Sequence, residues 1–134
     1  MNDYKIKLTS LNLKSKPIFD IEDHLKYTKD WRGQYIGDAI AILKPHDKYE
    51  VSKILKFAND NEISIVPQGG NTSLCGGATP LKNSFSIIIS TEKMNNIISI
   101  DKESMTITLE PGVILSIIHE QVEKNDLFFP LSLG

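Results

Sequence analysis

The spacing of apolar residues changes along the chain, and each spacing predicts a different element. The first nineteen residues are polar with isolated apolar positions and reach Pro17, the pattern of a loose arm. "FDIEDHLKYTKDW" then predicts a short helix with Asp20 at its cap and Asp23 in its first turn. "AIAIL" (39–43) is a short apolar run closed by Lys44-Pro45, which marks a buried strand. Asp47 with Glu50 three residues on makes an aspartate version of the capping box, and Val51, Ile54, Leu55 and Ala58 keep helical spacing until "NDNE". "ISIV" (63–66) completes a β-α-β unit, whose crossover favours a parallel pair with a right-handed connection.

Downstream, "FSIIIST" (85–91) reads as a doubly buried strand, "IISI" (97–100) as a fourth and "SMTITLE" (104–110) as a fifth, with Asp101-Lys102 turning between the last two. After Pro111-Gly112, residues Val113, Ile114, Ile117, Ile118 and Val122 fall on one face of a second amphipathic helix that ends near Lys124-Asn125-Asp126. The fold class is therefore α/β (α+β), with a β-α-β start and a small sheet flanked by two main helices. The last eight residues, "LFFPLSLG", hold five large apolar side chains where a terminus is usually polar. Either Leu127, Phe128 and Phe129 dock as a last strand, or the chain stops inside a domain whose remainder a partner supplies.

Composition narrows this picture without changing it. A chain of 134 residues, 40% hydrophobic and 24% charged, suits one domain with a true core. A net charge of -2 with dispersed lysines offers no basic patch for nucleic acid or an anionic membrane. No stretch approaches the roughly 20 apolar residues of a membrane span, and no leader pattern opens the chain, so the expectation is a cytoplasmic protein. The lone Cys75 excludes an internal disulfide and a CxxC metal knuckle.

Between the second and third strands lies "VPQGGNTSLCGGATP", with four of the eight glycines of the chain in nine positions. A P-loop would need a lysine followed by Ser or Thr after its last glycine, and the dinucleotide fingerprint would need G-x-G-x-x-G before a helix. Neither is present. What remains is a turn-rich segment whose Gly69, Gly70, Gly76 and Gly77 can adopt φ > 0 and let backbone approach a ligand, with Asn71, Thr72 and Ser73 adding short polar groups. Without a cation in the loop, backbone N–H dipoles would carry the binding, which suits a pyrophosphate whose charge stays constant better than phosphoryl transfer. A glycine-rich turn without a ligand is the competing reading.

"PQGGNTSLCGGATP", "ISTEKMNNIISID" and "TLEPGVILSIIHEQVEKNDLFFPLSLG" together resemble the FAD-binding domain of the FAD-linked oxidases, the vanillyl-alcohol oxidase and p-cresol methylhydroxylase type. Within that family the likeness is to the D-2-hydroxyglutarate and D-lactate dehydrogenases and the FAD subunit of glycolate oxidase. It runs from about Tyr27 to Gly134 and includes "YTKDW", which divides the chain into an arm (1–26) and a partial PCMH-type FAD-binding domain (27–134). The resemblance implies that Pro67, Gln68, Gly69, Gly70, Asn71, Thr72 and Ser73, with Gly77, wrap the FAD pyrophosphate. It also implies that "PLSLG", Pro130 to Gly134, lies near the isoalloxazine, although Ser132 stands where aspartate is usual. Asn71 occupies the place of the histidine that bears covalent flavin in some relatives, so FAD would be held noncovalently there.

Family members continue into a second flavin segment and a substrate domain. The resemblance thus implies an incomplete FAD-binding portion of an oxidoreductase for a 2-hydroxy acid, completed by a carboxyl-terminal partner chain; the alternative is a noncatalytic remnant acting as a binding module. No residue receives a catalytic or metal-binding role. His24, His46 and His119 are dispersed, nothing cationic adjoins Cys75, and Trp31 with Arg32 is expected to anchor the amino-terminal segment.

Overall fold

The computed structural model describes residues 2–132. Four helices and five strands appear in the order α1 (Asn2–Thr9), α2 (Ile21–Thr28), β1 (Ala41–Leu43), α3 (Lys48–Asp60), β2 (Ser64–Gln68), β3 (Ser86–Ser90), β4 (Ile97–Asp101), β5 (Thr106–Leu109) and α4 (Leu115–Glu123), with a 3-10 turn at Thr91–Lys93. The strands form two separate sheets.

The first sheet is wholly parallel and ordered β1-β3-β2. β1 and β2 are thus parallel but not neighbours, because β3 enters between them. The reason is apolar content: every residue of "SIIIS" is buried, and a strand covered on both faces belongs at the centre. Pro67, which cannot donate to a ladder, sits on the edge strand β2 opposite Ile89.

Alternation along the strands sorts the core into two layers. Ala41, Leu43, Ile87 and Ile89 point to one face, where Ile54 and Ala58 of α3 and Leu8 of α1 meet them. Ile42 and Ile88 point to the other, where Tyr27 of α2 covers them. The amino-terminal segment is therefore no loose arm. Leu8 is 1% exposed, Leu11, Leu13 and Phe19 pack against the same cluster, and Ile18 exchanges both backbone hydrogen bonds with Ile42. Isolated apolar residues in a polar stretch gave that segment no period, yet Tyr4, Leu8, Leu11, Leu13, Ile18 and Phe19 all reach the core, while Ile6 stays in solvent. Trp31 does not anchor it, being 73% exposed.

The α3 cap forms, with a variation. Asp47 accepts hydrogen bonds from the N–H groups of Tyr49 and Glu50. The buried Glu50 reaches past the cap residue to accept from His46 N–H at 2.7 Å and Lys14 N–H at 2.6 Å. That ties the segment after α1 to the start of α3.

β4 and β5 pair antiparallel, from Ile97 opposite Leu109 to Asp101 opposite Thr106. Asp101 Oδ1 accepts from the N–H groups of Glu103 and Ser104 and shapes the turn. On α4 only Ile118 and Val122 are buried; Ile114 and Ile117, predicted on the same covered face, are exposed. Residues 127–132 form no strand, and Phe128 is 85% exposed. Among the described residues, no helix is long and apolar enough to cross a membrane.

Candidate functional site

In a parallel sheet all carboxyl ends lie on one side, and here they bring together Lys44 after β1, Gln68 and the glycine loop after β2, and Thr91 and Glu92 after β3. Such an edge is where open α/β sheets bind ligands.

Two carboxamides hold the loop. Gln68 is 2% exposed, and its Nε2 donates to Tyr27 O and to Ala78 O, both at 2.8 Å, so it joins the outgoing and returning limbs. Asn71 Nδ2 donates to Lys29 O at 2.8 Å and Lys26 O at 3.3 Å, while its buried Oδ1 meets no partner. Ser73 Oγ accepts from Cys75 N–H, which makes its hydroxyl a turn former. Thr72 is exposed. Thr91 Oγ1 bridges Gln68 O and Pro111 O, linking the loop to the turn before α4.

The glycines divide into two kinds. At Gly37 and Gly112 a Cβ would lie 1.8 Å from Pro80 O and 2.0 Å from Thr91 O, so the fold itself excludes a side chain. At Gly70 the nearest atom to a Cβ is Thr72 Cγ2 at 3.7 Å, and at Gly77 nothing lies within 4 Å. Among the described residues, nothing needs glycine at those two positions. The expected positive φ is found only at Gly76 (φ 71°) among the four loop glycines, and Asn71 (φ 55°) takes the other left-handed position. The correction has a physical source: Asn tolerates the left-handed region, and Gly69, Gly70 and Gly77 keep open space beside ordinary backbone.

Among the described residues, the N–H groups of Gly70, Asn71, Thr72, Ser73 and Leu74 donate to nothing within the chain. Five successive free donors beside bare glycine backbone fit an anionic ligand such as a pyrophosphate, with room where Cβ atoms would otherwise stand.

Beside the loop is a cluster the linear pattern did not show. Lys44 Nζ meets Glu92 Oε1 at 2.7 Å, Tyr27 Oη donates to Glu92 Oε2 at 3.2 Å, and the ammonium groups of Lys44 and Lys26 lie 5.2 and 4.8 Å from the Tyr27 ring centre. Burial works against the charge on Lys44, but the Glu92 carboxylate and the Tyr27 oxygen outweigh it and hold the pKa above its ordinary value. Burial likewise opposes ionisation of Glu92, and the Lys44 hydrogen bond and charge overcome it, leaving the carboxyl below its ordinary value. One signal was available: Lys44 and Glu92 each directly follow or nearly follow a predicted strand, so a parallel sheet had to align them.

Of the predicted cofactor residues, Pro67, Gln68, Gly69, Gly70, Asn71, Thr72, Ser73 and Gly77 share this loop and its root. Pro130 is exposed on the segment that His119 Nε2 contacts through Leu131 O at 2.8 Å, and no hydrogen bond joins that segment to the loop among the described residues. Gly134 lies outside the described residues.

The profile of the FAD binding domain family matches residues 39–134. The chain belongs to that family. Its sequence is 40% identical over 105 residues to a probable mitochondrial D-2-hydroxyglutarate dehydrogenase of Oryza sativa subsp. indica, a match covering 78% of this chain and 18% of the relative. It is 36% identical over 112 residues to a D-2-hydroxyglutarate–pyruvate transhydrogenase of Saccharomyces cerevisiae, covering 84% of this chain and 22% of the relative. The chain thus spans about a fifth of the length of the curated relatives it matches. Among solved structures, p-cresol methylhydroxylase with bound substrate superposes with a TM-score of 0.80 at 24% identity, covering 99% of this chain and 26% of that one. The fold is that of a PCMH-type FAD-binding domain, and FAD is the cofactor the family membership assigns to it.

Proposed function

We propose that this chain supplies the pyrophosphate grip of a flavin-dependent oxidoreductase acting on a 2-hydroxy acid. The observation that carries the reading is the run of unengaged N–H groups from Gly70 to Leu74, set beside glycines whose missing side chains serve no packing need in the chain. Those donors would hold the pyrophosphate, and Thr91 would fix the root of the loop against the turn at Pro111. Bound FAD supplies a two-electron acceptor for hydride from the α-carbon of the substrate. Asn71 has no nucleophile for a flavin bond and its nitrogen is engaged by two carbonyls, so attachment at that position would be noncovalent. The substrate class rests on the names of the relatives, which specify D-2-hydroxyglutarate and D-lactate.

The decisive test is flavin uptake. Purified chain is mixed with FAD, freed of unbound flavin by gel filtration, and scanned for the visible flavin band. A band that travels with the protein supports the reading; its absence from folded protein, alone or with the remaining length of a relative supplied as a second polypeptide, would falsify it.

A second reading, a noncatalytic binding module, draws on the open apolar groove between β4, β5, α4 and residues 127–129. This cavity of about 350 Å³ is lined by Ile100, Ile107, Val122, Leu127 and Phe129 among others. A polypeptide that completes the domain would cover it in either reading. The two separate on turnover: only the first predicts that the completed assembly reduces bound FAD when given a 2-hydroxy acid.

A further inference from the structure

We infer that α2 is the template on which the glycine loop is shaped, and that Gln68 and Asn71 are positioning residues which act by capping the carboxyl end of that helix. The inference rests on the flavin reading for its consequence, but on hydrogen-bond geometry for its substance.

The last carbonyls of any helix lack intrahelical partners. At the end of α2 the donors come from elsewhere in the chain. Gly37 N–H reaches Thr28 O at 2.9 Å; Gln68 Nε2 takes Tyr27 O, and Asn71 Nδ2 takes Lys26 O and Lys29 O. A carboxamide suits this work because its NH₂ offers two donors. Gln68 uses one on α2 and one on Ala78 O, so the same side chain that caps the helix also closes the loop. Asn71 gives its nitrogen wholly to α2, while its left-handed backbone (φ 55°) turns the chain into the run of free N–H groups.

A helix carboxyl end carries partial negative charge, which would repel a pyrophosphate if left bare. The two carboxamides cover that end with donors. Neither residue needs to touch the cofactor for the grip to depend on it, and the residues capped, 26 to 29, precede the start of the family match at residue 39.

The test replaces each amide by its acid. Gln68→Glu and Asn71→Asp keep size, but the ionised acids present oxygen to carbonyl oxygen, whereas the protonated acids regain a donor. Backbone ¹⁵N order parameters of residues 69–78 are measured in the cofactor-free chain at about pH 8, where the introduced carboxyls are ionised, and at about pH 4, within the ordinary carboxyl range that facing carbonyl oxygens raise. Flavin affinity is measured at the same two values. We expect the wild-type loop to be equally ordered at both. The variants should lose loop order at the higher pH and regain part of it at the lower, since a carboxylic acid offers one donor where the amide offers two, with flavin affinity falling roughly 100-fold and recovering in part.

Loop order in both variants matching wild type at the higher pH would overturn the inference, whether or not flavin binds. If the variants show the pH-dependent order while wild type takes up no FAD, the template stands and the flavin reading fails. Should Gln68→Glu not fold, Asn71→Asp, whose hydrogen bonds lie at the exposed side of the loop, decides the matter alone.

Discussion

The parallel sheet and the hairpin region solve the same problem to different degrees. In the first, five consecutive residues of β3 are buried and both sheet faces are covered, by α3 and α1 on one side and α2 on the other. In the second, no residue of β4 or β5 is fully buried, Ile98 and Met105 are exposed, and a groove opens onto Phe128. A two-stranded ribbon is marginal alone, and here α4 leaves the groove beside it open. The buried core and the glycine loop both belong to the sheet, while the hairpin region leaves its apolar groove open.

That contrast breaks most sharply in the core. Ile87→Ala removes a side chain wholly enclosed between helix and sheet and should cost about 3–4 kcal/mol, whereas Ile98→Ala on the hairpin should change stability by less than about 0.5 kcal/mol. Urea denaturation of the two variants measures both values. Equal losses would mean that the hairpin region is as closed as the sheet.

The glycines give the next effect. Gly37→Ala forces a Cβ against the Pro80 carbonyl and should cost about 2–3 kcal/mol in the same assay. Gly70→Val should leave the melting temperature almost unchanged but reduce flavin affinity at least tenfold, by filling the space beside the free N–H groups. A Gly70→Val protein that binds flavin as wild type does would place the pyrophosphate elsewhere.

A smaller effect is expected at the carboxyl end of the sheet. The folded-state pKa of Glu92 is lowered, so its contribution is present above its ordinary 4.5 and is lost as pH falls through the folded value. Lys44 is raised, so its contribution is present below its ordinary 10.5 and is lost as pH rises through the folded value. Between those limits the pair is intact; with Glu92 41% exposed, solvent screening holds its value to about 1 kcal/mol or less. The stability gap between wild type and Glu92→Gln should therefore be constant near neutral pH and close in acid. A gap that persists unchanged after Glu92 protonates would show that the ion pair contributes nothing. Smallest of all, Phe128→Ser should leave stability within about 0.5 kcal/mol in urea denaturation, since its ring is already in solvent; a larger loss would mean that the ring packs against the chain.

Much of this was legible in the chain, and the reasons are local. Asp47 before a helical repeat read as a cap, and "FSIIIST" read as a strand buried on both faces; both form as read. The place of the glycine loop, directly after a strand, was legible in its composition and order. Other features depended on distant partners. Leu8, isolated among polar neighbours, enters the core because α1 packs beside α3. Ile114 and Ile117 keep helical spacing yet remain in solvent, because among the described residues nothing covers that face of α4.

What the sequence determined by itself, then, was whatever a short range of residues can decide: strand and helix periods, the capped start of α3, and a glycine-rich loop between two strands. Tertiary structure decided which glycines are free, since that depends on whether another part of the chain, such as Pro80 at Gly37, comes within reach of a missing Cβ. It also decided strand order, because β3 outcompetes its neighbours for the doubly covered centre. And it decided the role of Gln68, whose amide is polar in the sequence but buried in the fold, where every donor must meet an acceptor and the nearest are the carbonyls of α2 and Ala78.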